Sequence, residues 1–261
     1  MTPYEFRQGD TPLLVSIPHA GTALTDAVAD GLSEIGATLG DTDWHVPALY
    51  GFIDPLGASV IEARYSRYVV DLNRPRDDVP LYAGATTGLF PTINFDGEPL
   101  FRPGCEPSTQ ERSRYLQEIW DPYHARIASA LAEIRARHGY ALLFDAHSIR
   151  SVVPRLFDGR LPDLNVGTAD GKSCDSALQA AVEAVCADAE DYSWVANGRF
   201  KGGWITRSFG APDEGVHAVQ LELAQCTYMD ETPPFTYRPE RASGIQPALR
   251  RVLETLLEWR P

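Results

Sequence analysis

Nine residues, Tyr140–Ser148 (Y-A-L-L-F-D-A-H-S), constrain this chain more than any other stretch of it. They open on an apolar run of the kind that a strand buried on both faces needs. They close on Asp145 and His147, two ligand-type side chains. Side chains alternate along a strand, so Asp145 and His147 leave from one face. In an open α/β sheet, ligands collect beyond the carboxyl ends of the strands. A His there can hold a metal, and the Asp two residues back can brace it. The plainer alternative is a core His bonded to backbone, with Asp145 forming a turn, and one such strand alone would favour it. A second strand that ends the same way shifts the balance. Thr11–Ile17 (T-P-L-L-V-S-I) reads as a buried strand running into Pro18-His19-Ala20-Gly21. Pro18 stops the ladder and Gly21 permits a sharp turn, which puts His19 on a corner matching that of His147.

The elements between and after these strands set the fold class. Thr25–Ile35 is expected to be helical, capped by Thr25 or Asp26, and Asp41 is a candidate N-cap for Val46–Phe52. Ala58–Ala63 and Tyr68–Leu72 read as short strands. Ser108–His138 is the clearest helix, with Ser108 and Glu111 forming a capping box, Pro122 kinking or dividing it, and Gly139 ending it. Ser173–Ala189 and Ser243–Trp259 carry further helical stripes, while Tyr192–Ala196 and Ala218–Ala224 read as strands. Arg150–Lys172 reads as a loop. This strand–helix–strand rhythm implies a three-layer α/β fold: a mixed, mostly parallel sheet with helices on both faces. No repeat or linker divides the chain, so residues 1–261 are expected to form one domain.

Charge and cysteine usage exclude some partners. The net charge of −13 argues against nucleic acid or an anionic membrane, though a basic pocket within an acidic shell can still bind a small anion. No apolar segment approaches a membrane span, Met1–Asp10 carries no apolar run of a signal peptide, and the four cysteines form no C-x-x-C pair. A cytoplasmic protein with reduced thiols is the expectation.

The remaining polar signals are read against plainer roles. Asp41-Thr42-Asp43-Trp44-His45 packs two carboxylates and an imidazole into five residues; with Asp41 spent on a cap, Asp43 and His45 stay available. Asn73 and Arg74 project where Tyr68–Leu72 ends, and Pro75 keeps Arg74 extended. An amide beside a planar guanidinium fork suits a carboxylate, although an Arg in such a place is more often solvated or in an ion pair. Val79–Pro107 is irregular yet carries Tyr82, Phe90, Phe95 and Phe101, which fits an ordered flap over a site or, more simply, a cover for a sheet edge. Asn197–Arg207 is basic in an acidic chain; Gly202 and Gly203 let backbone approach a ligand, and Arg207 either meets an anion or is solvated. Glu222 lies between apolar neighbours on a strand, so it faces water at an edge or is held near a cation.

Collected at strand ends, His19, Asp43 or His45, Asn73 with Arg74, His147 and Glu222 make a set. Two imidazoles and a carboxylate are a common donor set for catalytic zinc, with one position open. A nearby Glu can move a proton, and an Arg–Asn pair can dock a carboxylate. Together they describe metal-assisted hydrolysis of an amide on a small carboxylate-bearing molecule.

P-H-A-G at Pro18–Gly21, D-T-D-W-H at Asp41–His45, D-L-N-R at Asp71–Arg74, D-A-H-S at Asp145–Ser148, F-K-G-G-W-I-T-R at Phe200–Arg207 and Q-L-E-L at Gln220–Leu223 together resemble the N-formylglutamate amidohydrolase family. The motifs keep the family's order across essentially the whole chain. The family is similar in plan to zinc carboxypeptidases, aspartoacylases and succinylglutamate desuccinylases. The resemblance implies the carboxypeptidase/phosphorylase-hydrolase-like fold and cleavage of N-formyl-L-glutamate to formate and L-glutamate, the deformylation step of bacterial histidine degradation. It implies a divalent metal, zinc by expectation, held by His19 and His147, with Glu222 as general base and acid. Asn73, Arg74, Arg207 and Gly203 would receive the N-acyl amino acid. Carboxypeptidases place their carboxylate ligand three residues after the first His, where this chain has Thr22; the third ligand therefore goes to Asp43, with His45 as substitute. A sibling amidohydrolase acting on another N-acyl amino acid or peptide-like amide, and a non-enzymatic binder of acidic metabolites or metal, stay open beside it.

Overall fold

The structure, a computed structural model, describes residues 2–81 and 86–261. Its strands are β1 (Tyr4–Arg7), β2 (Leu13–Ile17), β3 (Ser59–Ala63), β4 (Ala141–Ile149), β5 (Leu164–Gly167), β6 (Trp194–Ala196) and β7 (Val216–Ala224). They form one sheet in the order β1-β3-β2-β4-β7-β5-β6. β2 runs parallel to β3 and β4, β4 to β7, and β5 to β6; β1 on β3 and β5 on β7 are antiparallel. The sheet is thus mixed and mostly parallel, as its crossovers require.

Residue parity divides the interior. Leu142, Phe144 and Ala146 of β4 and Val219, Leu221 and Leu223 of β7 face one core, with α2 (Val46–Leu49), α5 (Ser176–Asp188) and α7 (Pro239–Glu258). Ala141 and Leu143 of β4 and Ala218 of β7 face the other, with α1 (Asp26–Gly31), α3 (Thr109–Tyr115), α4 (Asp121–His138) and α6 (Trp204–Phe209). On this second face Asp145, His147, Gln220 and Glu222 continue the odd positions of β4 and the even positions of β7. β4 is buried at all nine positions. Each fully buried large apolar side chain contributes about 1.5–3 kcal/mol, against several kcal/mol for each desolvated ion. The apolar lengths of β4 and β7 can therefore carry a polar site at their carboxyl ends.

The long helix forms as its caps dictate. The Ser108 side chain accepts the Glu111 N–H and the Glu111 carboxylate accepts the Ser108 N–H. Before Pro122 the helix widens into a π-helical turn, Leu116–Trp120, which accommodates the missing donor and ring without ending the helix. Several expectations are corrected. Tyr68–Leu72 is a buried turn, not a strand: the Ser66 hydroxyl accepts the Tyr68 N–H, and Asp71 N–H goes to the Leu89 carbonyl. Asp41 caps no helix; its Oδ2 accepts the Phe95 N–H at 2.9 Å and ties the 86–107 segment to the sheet end. Thr25 precedes α1 without a side-chain cap, its hydroxyl paired with Tyr115 instead. β1, β5 and α6 are four, four and six residues long, too short for periodicity to reveal.

Candidate metal centre and active site

His19 follows β2, and its carbonyl accepts the Asp43 N–H at 3.1 Å, which pins the loop after β2 to the 41–45 segment. His147 lies near the end of β4. The nearest nitrogens and oxygens of His19, Asp43 and His147 all lie within 4.8 Å of one another, and all three residues are buried. Asp43 Oδ2 is 3.1 Å from His147 Nδ1 and 3.9 Å from His19 Nδ1. The outer edges of the rings are held as well. His19 Nε2 is 2.8 Å from Asp71 Oδ1, and His147 Nε2 is 2.8 Å from Asp145 Oδ2. Nε2–H donation to a carboxylate leaves the Nδ1 lone pairs of both rings facing Asp43.

The donor set fits a divalent ion. Tetrahedral bonds of about 2.0–2.1 Å put neighbouring ligand atoms about 3.3 Å apart, and the Asp43 distances of 3.1 and 3.9 Å bracket that value. Asp43 Oδ1 is buried with no hydrogen-bond partner among the described residues, while Oδ2 accepts the Ser148 N–H at 3.0 Å. Burial lowers the His19 pKa. Burial alone would lower that of His147 too, but Asp145 and Asp43 outweigh it and hold the ring well above its ordinary value.

Against the two imidazoles lies a pocket of about 60 Å³ lined by His19, His147, Glu222, Arg67, Arg74 and Arg199, with further polar and apolar walls. Glu222 sits beside His147 in the β4–β7 register and is 7% exposed, so it belongs to the pocket rather than to a wet sheet edge. Burial pushes its carboxyl up to about 8, against the pull of His147 and with a further push from Asp43. A carboxyl that titrates near neutrality suits both taking and giving a proton.

The other expected residues are distributed unevenly. Arg74 lines the pocket, its Nε donating to the Thr87 carbonyl and its Nη1 to the Asn73 carbonyl, with no carboxylate partner among the described residues. Asn73 also lines the pocket, but its amide works inward: Nδ2 lies 3.3 Å from Asp145 Oδ2 and 3.0 Å from His147 Nε2, and Oδ1 accepts the Ile205 N–H. Gly203 donates its N–H to Gln220 Oε1, and a Cβ there would fall 2.3–2.5 Å from the Asn73 amide. Its missing side chain is what lets Asn73 reach His147. Arg207 is not among the pocket-lining residues; its Nε turns back onto the Gly202 carbonyl. His45 points away, with Nε2 2.7 Å from the Phe235 carbonyl oxygen, so Asp43 rather than His45 joins the imidazoles. Thr86, Thr87 and Phe95 of the expected flap do line the pocket, while Tyr82 lies outside the described residues.

Sequence reasoning missed Asp71, Arg67 and Arg199. Arg67 is buried, donates to Asp71 Oδ2 at 2.7 Å, lies 3.8 Å from Asp43 Oδ1 and stacks on Phe95. The available signal was an Arg and an Asp four apart bracketing an apolar run, an odd pattern for a strand.

Residues 11–229 match the protein family described as N-formylglutamate amidohydrolase. Relatives named N-formylglutamate deformylase, from Pseudomonas aeruginosa and Pseudomonas putida, are 63% and 59% identical over 254 residues, covering 97% of this chain and 96% and 95% of their own. Among solved structures, N-formylglutamate amidohydrolase from Ralstonia eutropha JMP134 has a TM-score of 0.83 at 22% identity and covers 98% of both chains. A protein of Agrobacterium tumefaciens has a TM-score of 0.75 at 19% identity, covering 98% of this chain and 95% of its own. At such identities these two matches speak to the fold alone.

Proposed function

The chain belongs to the N-formylglutamate amidohydrolase family, and on that premise we propose that it hydrolyses N-formyl-L-glutamate to formate and L-glutamate. The observation that carries this is the meeting of His19, Asp43 and His147 around one point, with Glu222 on the adjacent strand in register with His147. His19 Nδ1, His147 Nδ1 and an Asp43 oxygen would hold a divalent ion, zinc by the character of the donor set. When bound, such an ion supplies Lewis-acid chemistry, polarising a carbonyl and lowering the pKa of water.

The residues do the rest. Glu222 takes a proton from the attacking water and delivers it to the departing glutamate nitrogen, so one carboxyl serves as base and then acid. Arg74 receives a substrate carboxylate. Asn73 and Gly203 hold the His147–Asp145 pair in place. Arg67 balances the buried charge of Asp71 and Asp43 beside the reacting carbonyl. Thr86, Thr87 and Phe95 cover the pocket and exclude water.

All four cysteines are free, and no described helix is long and apolar enough to cross a membrane. A reducing, cytoplasmic setting within histidine degradation accords with the free thiols. The test is formate release before and after chelation, with Glu222→Gln in parallel. Chelation is expected to abolish turnover and added zinc to restore it. Glu222→Gln should keep the ion and lose about 10²–10⁴-fold in kcat, the usual worth of a general acid–base. A Gln variant as fast as the parent would remove Glu222 from the reaction.

A further inference from the structure

We propose that Ser148, Gln225 and Tyr228 form a buried clamp that seats Asp43, and that as positioning residues they set how tightly the site holds its ion. This rests on Asp43 as the third ligand and deepens that reading. The two imidazoles come from the ends of β2 and β4, which the sheet pairs side by side. Asp43 has no such anchor. It sits in the turns that precede α2, with no strand to carry it. A ligand on an irregular segment is held only as firmly as its surroundings hold that segment.

The chain after β7 supplies the hold. A 3₁₀ turn, Gln225–Thr227, follows that strand directly and runs into Tyr228. Gln225 Nε2 donates to the Thr42 carbonyl at 3.0 Å, and the Tyr228 hydroxyl lies 2.9 Å from the Trp44 carbonyl oxygen. The residues on either side of Asp43 are thus each held through their carbonyl. A carbonyl only accepts, so the Gln225 amide must turn its nitrogen to Thr42; the reverse orientation would set oxygen against oxygen. Both side chains also reach one further oxygen, Ser148 Oγ: Gln225 Nε2 at 3.3 Å and the Tyr228 hydroxyl at 2.7 Å. The Ser148 N–H in turn donates to Asp43 Oδ2 at 3.0 Å. Thr42, Asp43, Ser148, Gln225 and Tyr228 are each no more than 2% exposed, so bulk water does not compete for these bonds. One serine beside His147 therefore ties together β4, the chain after β7 and the Asp43 loop. Asp43 Oδ2 is left 3.1 Å from His147 Nδ1.

The test is zinc affinity, read by competition against a chromophoric chelator. It compares the parent protein, Tyr228→Phe, Gln225→Met, Asp43→Ala, and Tyr228→Phe combined with Asp43→Ala. The first two variants keep size and apolar packing, and each removes one hold on the loop. Each is expected to weaken zinc binding by roughly tenfold, the lower end for groups that orient a metal ligand. Because they act through Asp43, the loss should vanish once Asp43 is alanine: there Tyr228→Phe should change affinity by less than about twofold, the usual scatter of additivity. General loosening of the fold would instead weaken zinc alike in both backgrounds. Metal-free crystals of Tyr228→Phe should show the Asp43 carboxylate moved off His147 Nδ1. Parent-like affinity in both Tyr228→Phe and Gln225→Met, or the same loss with and without Asp43, overturns the clamp while leaving Asp43 as a ligand. An unmoved Asp43 in the Tyr228→Phe crystal overturns it even where Asp43→Ala does not fold. An Asp43→Ala protein that binds zinc like the parent overturns both ligand and clamp. The readout is bound zinc, so a parent that releases no formate fails the deformylase reading alone.

Discussion

Asp145→Asn and Asp145→Ala separate the charge of a metal-site brace from its hydrogen bond. Asp145 is fully buried; its Oδ2 is 2.8 Å from His147 Nε2 and 3.3 Å from Asn73 Nδ2, and its Oδ1 has no partner among the described residues. The asparagine can still present an oxygen to His147, so it removes charge and keeps the bond, whereas the alanine removes both. Groups behind metal-binding imidazoles are worth about 10- to 100-fold in metal affinity, or about 1.4–2.7 kcal/mol. The asparagine is expected near the lower figure and the alanine near the upper.

Protonation works against this loss. Burial lowers the His147 pKa, but Asp145 and Asp43 hold it well above its ordinary value, so the parent must shed a proton to bind an ion. Below that raised pKa, apparent affinity in the parent falls about tenfold per pH unit. Without the Asp145 charge the ring sheds its proton at lower pH, and the decline begins later. The penalty of either substitution is therefore largest at alkaline pH and shrinks toward acid. Competition against a chromophoric chelator from pH 6 to 9 reads bound ion rather than turnover. The alanine also strands buried donors at about 1–3 kcal/mol each, so it should melt below the asparagine. Parent-like affinity in the alanine variant, or a penalty that ignores pH, would refute the reasoning.

Two further outcomes follow from packing and burial. Gly203→Ala drives a methyl to within 2.3–2.5 Å of the Asn73 amide; overpacking should cost about 1–3 kcal/mol and displace Asn73 from His147, so both melting temperature and kcat should fall, and a parent-like variant would deny the close approach a role. Burial lowers the His124 pKa to about 4, with the ring stacked on Trp120 and its Nε2–H donated to the Leu72 carbonyl. A folded-state pKa below the unfolded value of about 6.5 means that acid favours unfolding, and between pH 7 and 5 this group should remove about 2 kcal/mol of stability. His124→Phe lacks that loss, so the difference in unfolding free energy between variant and parent should narrow or reverse over this interval in denaturant titrations; a constant difference would count against it.

Much of the fold was legible because its central strands are long, apolar and end abruptly in ligand-type residues. Parity alone put Asp145 with His147, and Glu222 opposite Val219, Leu221 and Leu223. The capping box of Ser108 and Glu111 and the disturbance at Pro122 were equally local signals. What stayed hidden depends on contacts distant in sequence. Tyr68–Leu72 carries the apolar content of a strand, but Arg67 and Asp71 need a turn to reach each other, His19 and Asp43, and that demand overrides strand preference. Asn73 looks like a substrate donor in sequence; only the fold reveals that Asp145 and Ile205 occupy its amide beside the His147 ring. The basic segment 197–207 reads equally as an anion contact or as a solvated connection, and that Arg199 rather than Arg207 lines the pocket requires knowing that α6 begins at Trp204.

The measurement closest to the central claim is the anomalous-scattering map of a zinc-loaded crystal of the parent protein. The expected result is one strong peak about 2.0–2.2 Å from His19 Nδ1, His147 Nδ1 and an Asp43 carboxylate oxygen, with the Nε2 edges still on Asp71 and Asp145. A peak bound through Nε2, shared with His45 in place of Asp43, or found elsewhere on the molecule would contradict it.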